Sequence, residues 1–146
     1  MKVPFSIALI KAYHAHNNLM RPKITEIGLS VGQPKILDFL SRHDGCMQKD
    51  LAALCDIEPA TISRLLDRME QDGLLTRSVV EENKRAVSVA LTPTGRKRQK
   101  EMVAIRNQVE THELEGFNEA EREQFYEYLS RLYKNLTREI GEEENK

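Results

Sequence analysis

Between Met47 and Thr92 the spacing of apolar residues changes from a helical to a strand period. From Pro59 to Asp72, Ile62, Leu65, Leu66 and Met69 fall at i, i+3, i+4 and i+7, which is one face of a helix. The opposite face carries Thr61, Ser63, Arg64 and Arg68. A shorter helix is predicted before it, from Gln48 to Leu54, with Leu51, Ala52 and either Leu54 or Cys55 turned inward. Asp56, Ile57 and Glu58 form the turn, and Pro59 suits a first helical turn. Leu74 to Val80 then reads as a strand. In the next one, Val87, Val89 and Leu91 alternate with Ser88, Ala90 and Thr92, the mark of a half-buried strand. The charged tip Glu82-Asn83-Lys84-Arg85 joins the two as a hairpin. Two short helices followed by a hairpin predict a winged helix-turn-helix. A helix anchored on one face, with hydroxyls and arginines on the other, can enter a DNA major groove.

The flanks are helical. Phe5, Ile7, Ala8, Ala12, Ala15 and Leu19 give an imperfect stripe that should stop at about Pro22. A second helix is predicted from Lys35 to Arg42, with Ile36, Leu37, Phe39 and Leu40 inward and Gly45 as its left-handed stop. Thr92 to Gly95 reads as a cap and first turn. A long helix should follow to about Leu114, with Met102, Ile105 and Val109 on one face. Asn118 and Glu121 have the spacing of a capping box. The last helix after them carries a wide stripe of Phe125, Tyr128, Leu129, Leu132, Tyr133 and Leu136. The tail from Gly141 to Lys146 should fray. The fold class expected is mainly α with a small antiparallel β-wing, in one domain spanning 1–146. Its winged core covers about 32–92 and its dimerisation helices about 5–21 and 95–140. Apolar faces at both chain ends fit a two-fold homodimer, which would set two reading helices ~34 Å apart on a near-palindromic site.

Composition changes this picture little. The 146 residues are 40% hydrophobic and 31% charged, ordinary values for a globular chain. The net charge of -1 is weak for a partner of DNA, but the acidity is uneven. Residues 1–57 and 58–98 each carry a net +2, whereas 99–146 carry -5. No apolar run approaches a membrane span and the first residues lead into no signal peptide, so the expected location is cytoplasmic.

The residues resemble the multiple antibiotic resistance regulator (MarR) family over nearly the whole chain, from about Phe5 to Ile140. The resemblance rests on the order and spacing of Gln48-Lys49-Asp50-Leu51-Ala52, the run Thr61 to Glu70, Gly73-Leu74-Leu75, Lys84-Arg85-Ala86, Val89 to Thr92, and Gly95. It implies a dimeric regulator of transcription that acts at short palindromes in double-stranded DNA. By the same resemblance Pro59, Ala60, Thr61, Ser63 and Arg64 touch bases and nearby phosphates, and Arg68 meets a phosphate. Lys84 and Arg85 lie on the wing, with Arg85 where relatives insert an arginine into the minor groove. Gln33 and Gln48 sit at helix starts that meet the backbone. Two positions depart from the family pattern. Asn83 replaces the usual acid before the wing arginine, and Met47 replaces a capping Ser or Thr.

The family commonly binds small aromatic or phenolic anions, and Tyr13, His14, His16, Leu37 and Arg42 are the candidates to line such a site. No cofactor is implied, and the histidines lack the spacing of metal ligands. Cys46 and Cys55 are too few for a disulfide framework, and neither has an evident activating partner. No phosphate loop, nucleophile elbow or catalytic carboxylate pair is present, so an enzyme is not expected. A winged helix used only to bind other proteins is the alternative to a DNA-binding repressor.

Overall fold

The computed structural model describes residues 2–80 and 83–138, with side chains for all of these except 83–85. The hairpin tip at Glu82, the side chains of Lys84 and Arg85, and the tail from Gly141 to Lys146 lie outside the described residues. Among the described residues, six helices and three strands follow in the order α1 (Phe5–Glu26), α2 (Gln33–Arg42), β1 (Cys46–Met47), α3 (Gln48–Leu54), α4 (Pro59–Gln71), β2 (Leu75–Val80), β3 (Asn83–Leu91), α5 (Pro93–Glu113) and α6 (Glu119–Thr137). This is the mainly helical frame with a small antiparallel wing that the residue pattern predicts. The chain divides into two compact units, one reaching to Val109 and one from Glu110 onward.

In the first unit the core forms where the helical stripes meet the hairpin. Ile36, Leu37 and Leu40 of α2, Leu51 of α3, Leu66 and Met69 of α4, and Val89 of β3 are all fully enclosed. Leu65 packs at the edge of this cluster. The sheet runs in the order β1-β3-β2, and all its pairs are antiparallel. Leu75 stands opposite Leu91 and Arg77 opposite Val89, with a shift of register between Val79 and Val80. The strand β1 was not predicted. Its two residues, paired with Val89 and Ser88, are too few to show a period of two.

The largest departure from expectation is at Pro22. Helix α1 passes through it and runs on to Glu26. Proline removes one backbone donor and its ring crowds the preceding turn, at a cost of about 3 kcal/mol in a helix interior. Here the turn beyond it is anchored. Ile24 is buried, Met20 and Ile27 pack on the core, and the Leu29 N–H closes the end on the Ile24 carbonyl at 2.9 Å. Tertiary burial outweighs the local signal. Most of the α1 stripe faces outward, with Phe5, Ile7, Ala8, Ala12 and Ala15 exposed and Leu19 half-buried.

In the second unit, Asn118 and Glu121 form the predicted capping box, each side chain accepting from the other's backbone N–H at 2.9 Å. Arg122 donates to the carbonyls of Leu114 and Phe117, both at 3.2 Å. The Tyr126 hydroxyl bonds Glu110 at 2.8 Å. The expected apolar stripe of α6 is present but unburied: Phe125, Tyr128, Leu129, Tyr133 and Leu136 are all exposed.

Candidate nucleic-acid interface

Helices α3 and α4 meet in a tight turn. Asp56 takes a left-handed φ of 52°, a conformation that aspartate tolerates better than most residues. The Ile57 N–H donates to the Ala52 carbonyl at 3.0 Å, which closes α3. Lys35 of α2 adds a donor from outside the motif, its Nζ lying 2.8 Å from the Cys55 carbonyl. This tie brings a cation to the carbonyl end of α3 and fixes the turn that aims α4.

On α4 the division of faces is sharp. Ile62, Leu66 and Met69 are buried, Thr61 and Ser63 half-buried, and Pro59, Ala60, Arg64 and Arg68 exposed. Arg64 has no ion-pair partner among the described residues, so its guanidinium is available. Arg68 is held by Asp72 at 3.2 Å, one turn along the same helix. No side chain caps the start of α3 or α4, where Met47 and Glu58 hold the cap positions. The reading of Met47 as a missing cap therefore holds.

An open cavity of about 510 Å³ lies between these two helix starts and the wing strand. Gln48, Lys49 and Asp50 of α3, Pro59 of α4, and Ala86 and Val87 of β3 are among its walls. Gln48 is thus placed with the reading helix and the wing. Gln33 is not. Its side chain is only 2% exposed, and its Oε1 accepts from the Ser30 N–H at 3.0 Å. Assigning Gln33 as a DNA contact through its side chain is corrected on this ground. A buried amide must satisfy its own polar atoms, and this one shapes the loop entering α2.

Sequence reasoning missed the ties that hold the reading surface in place. Arg77 of β2 pairs with both Asp67 and Glu70 of α4. Burial works against its charge, but the hydrogen bonds to Asp67 and Glu70 outweigh that and raise its pKa. Two acids three residues apart on α4 are a helix-face pair, and their cation lies on a strand where no helical spacing would reveal it. Asp44 accepts from the Leu91 N–H at 2.9 Å and from Arg96 at 2.6 Å, fastening the loop before β1 to the root of α5. Arg98 pairs with Glu101 at 2.9 Å. Of the four cations Arg96, Lys97, Arg98 and Lys100 at the start of α5, two are therefore occupied within the protein.

The candidate effector residues do not share one environment. Tyr13, His14 and His16 lie on the exposed face of α1, with the Tyr13 and His14 rings edge to face at 6.2 Å. Leu37 is corrected as a lining residue, because it is fully enclosed in the core and presents no surface. Arg42 pairs with Asp38 at 2.5 Å and lies over the Phe39 ring at 5.6 Å. Asp38 also accepts from Arg106 of α5 at 2.9 Å. Burial alone would raise its pKa, but the two guanidinium groups lower it further than burial raises it.

Both thiols favour the protonated form. Burial pushes Cys55 up to about 11, and Cys46 is raised by burial and by the nearby Asp50 charge. Cys55 keeps its proton in the fold between about pH 9 and 11, whereas the unfolded thiol loses it near its usual value of 9.0. The stability it contributes is complete below pH 9 and is lost as pH rises through that window. At pH 8, a maleimide titration is expected to label half-buried Cys46 slowly and Cys55 only after denaturant is added. Rapid labelling of Cys55 in the native protein would contradict its inert role.

Among the described residues, no helix is long and apolar enough to cross a membrane. The MarR family model matches residues 29–87, which hold α2 to the wing. The uncharacterised HTH-type transcriptional regulator YfiV of Bacillus subtilis is 30% identical over 111 residues, covering 76% of this chain and 69% of YfiV. The HTH-type transcriptional repressor YetL of the same organism is 28% identical over 123 residues, covering 83% of this chain and 74% of YetL. A solved structure of Bordetella bronchiseptica BpsR, whose DNA binding 6-hydroxynicotinic acid regulates, superposes with a TM-score of 0.80 at 28% identity. That match covers 88% of this chain and 97% of BpsR. On these matches this chain belongs to the MarR family and is a transcriptional regulator, not an enzyme, built on a DNA-binding winged helix.

Proposed function

We propose that the protein is a homodimeric repressor that binds a near-palindromic operator in double-stranded DNA and is released by a small aromatic or phenolic anion. The observation that carries this reading is Arg64: exposed, without an ion-pair partner among the described residues, on the outer face of a helix whose inner face is sealed in the core. Thr61, Ser63 and Arg64 read base edges from α4, with Pro59 and Ala60 close enough for apolar contact. Arg68 and Gln48 meet phosphates, and Lys84 and Arg85 carry the wing to the adjacent minor groove. The exposed apolar residues of α1 and α6 supply the surfaces that a second copy would cover. YetL's name as a repressor and the ligand control of BpsR support the sign of regulation and the existence of an effector. The location that goes with this proposed activity is the cytoplasm.

Selection of bound duplexes from random DNA, with and without phenolic anions and 6-hydroxynicotinic acid, tests the whole reading. An inverted repeat is expected, and its recovery should fall when an effector is present. Binding to that repeat should weaken steeply with salt, by about a thousandfold between 50 and 200 mM if six or so phosphates are neutralised. Affinity for a protein partner in place of DNA, insensitive to salt, would turn the assignment to an interaction module. Arg64→Ala should cost ~1–3 kcal/mol of operator affinity in a mobility-shift titration without moving the melting temperature. Unchanged affinity and unchanged base preference would remove Arg64 from the reading set.

A further inference from the structure

We infer that Arg77 is a positioning residue that locks the wing to the reading helix, so that base reading by α4 and minor-groove insertion by the hairpin act as one rigid unit. This inference rests on the DNA-binding reading above. Arg77 sits near the base of β2, opposite Val89 of β3. Its guanidinium reaches two acids one turn apart on α4, Asp67 and Glu70. Glu70 is used twice, because its second oxygen accepts from the Arg77 backbone N–H at 3.0 Å. One strand residue is thus held to the helix through both its side chain and its main chain.

The placement gives this clamp its consequence. Arg77 is only 19% exposed on its side chain, whereas Asp67 and Glu70 are 54% and 42% exposed. The cation is enclosed by the junction and the acids face solvent, so the pair cannot exchange freely for water. Beyond Arg77 the hairpin is only partly buried: Ser78 and Val79 are exposed, Val80 and Ala86 to Ser88 are half-buried, and the register shifts after Val79. A two-stranded ribbon is marginal when left to itself. Its angle to α4 is therefore set at its root, and the clamp is the polar connection there. Guanidinium suits the task because its planar fork can engage two carboxylates at once, which an ammonium does less well. Asp67 stands about one turn beyond Ser63 and Arg64, and Glu70 almost a further turn on, so both acids lie toward the C-terminal end of α4, where they engage Arg77.

A double-mutant cycle on operator affinity tests the coupling. In the wild-type background, Arg85→Ala is expected to weaken binding by about tenfold. In the Arg77→Gln background the same change should weaken it by about twofold or less, because a loosened wing no longer delivers its arginine. Arg77→Lys should fall between the two. Equal losses in both backgrounds would overturn the inference. A second readout needs no DNA. Amide hydrogen exchange across Ser78–Val79 and Val87–Ser88 should speed up by about tenfold in Arg77→Gln, while the amides of α2 stay protected. Unchanged exchange in the hairpin would also overturn it. If Arg85→Ala has no effect in the wild-type protein, the proposed wing contact fails, and the exchange measurement still decides the clamp. Should Arg77→Gln not fold, Glu70→Gln removes the doubly used acid, leaves Arg77 paired with Asp67, and is read by the same two measurements.

Discussion

Gly95→Ala is expected to destabilise the protein by about 3 kcal/mol, the upper end of the usual range for overpacking, and to lower its melting temperature by roughly 10 °C. The third residue of α5 lies directly on the turn that leads into β2. A methyl group there would fall well inside van der Waals contact of the Leu74 carbonyl oxygen, 2.9 Å from its carbon and 3.2 Å from the Leu91 side chain. A flexible side chain could swing aside, but the main obstacle is backbone. That carbonyl is also engaged, accepting from the Thr92 N–H at 3.1 Å. Thr92 completes the junction, its hydroxyl donating to the Gly73 carbonyl at 2.5 Å and accepting from the Gly95 N–H at 3.0 Å. Moving Leu74 would disturb all three bonds together. Thermal melting followed by circular dichroism checks the expectation, and a melting temperature within a degree or two of wild type would show that the junction yields easily.

Leu66→Ala should cost about 2–5 kcal/mol, the range found when a buried leucine is truncated and its cavity cannot collapse. Leu66 is fully enclosed, with Ile62 one turn before it and Met69 almost one turn after it also within the core. Whole domains are stable by only about 5–15 kcal/mol, so this one change removes a large share. Chemical denaturation should show an earlier midpoint with an unchanged slope. The comparison with Arg64→Ala separates the two faces of α4. Leu66→Ala should lower stability and, at temperatures where the protein remains folded, leave operator preference intact. Arg64→Ala should do the reverse. If both variants lose stability alike, the outer face of α4 is packed and not presented.

Three junctions explain why the reading surface has a fixed shape. Asp44 joins the loop before β1 to β3 and α5, and Arg77 joins β2 to α4. Lys35 joins α2 to the turn between α3 and α4. Each is a charge-assisted bond between elements that are separated in sequence. Such bonds are modest when exposed, but together they orient helices whose apolar contacts alone permit sliding.

Local pattern determined a good deal of this protein. The stripe Ile62, Leu65, Leu66 and Met69 defined α4 and its outward residues, because a helix with one buried face must place apolar groups at 3.6-residue intervals. The alternation through Val87, Val89 and Leu91 defined β3, and Asn118 with Glu121 defined the start of α6, since both signals are carried by residues that are neighbours in sequence. Tertiary structure alone decided the rest. Helix α1 continues past Pro22 because distant core residues bury Ile24. Gln33 turned inward, because burial depends on which elements pack over a residue and not on its place at a helix start. Arg77, Asp44 and Lys35 found their partners on other elements, 7 to 52 positions away, and the period of one element says nothing about its partner on another.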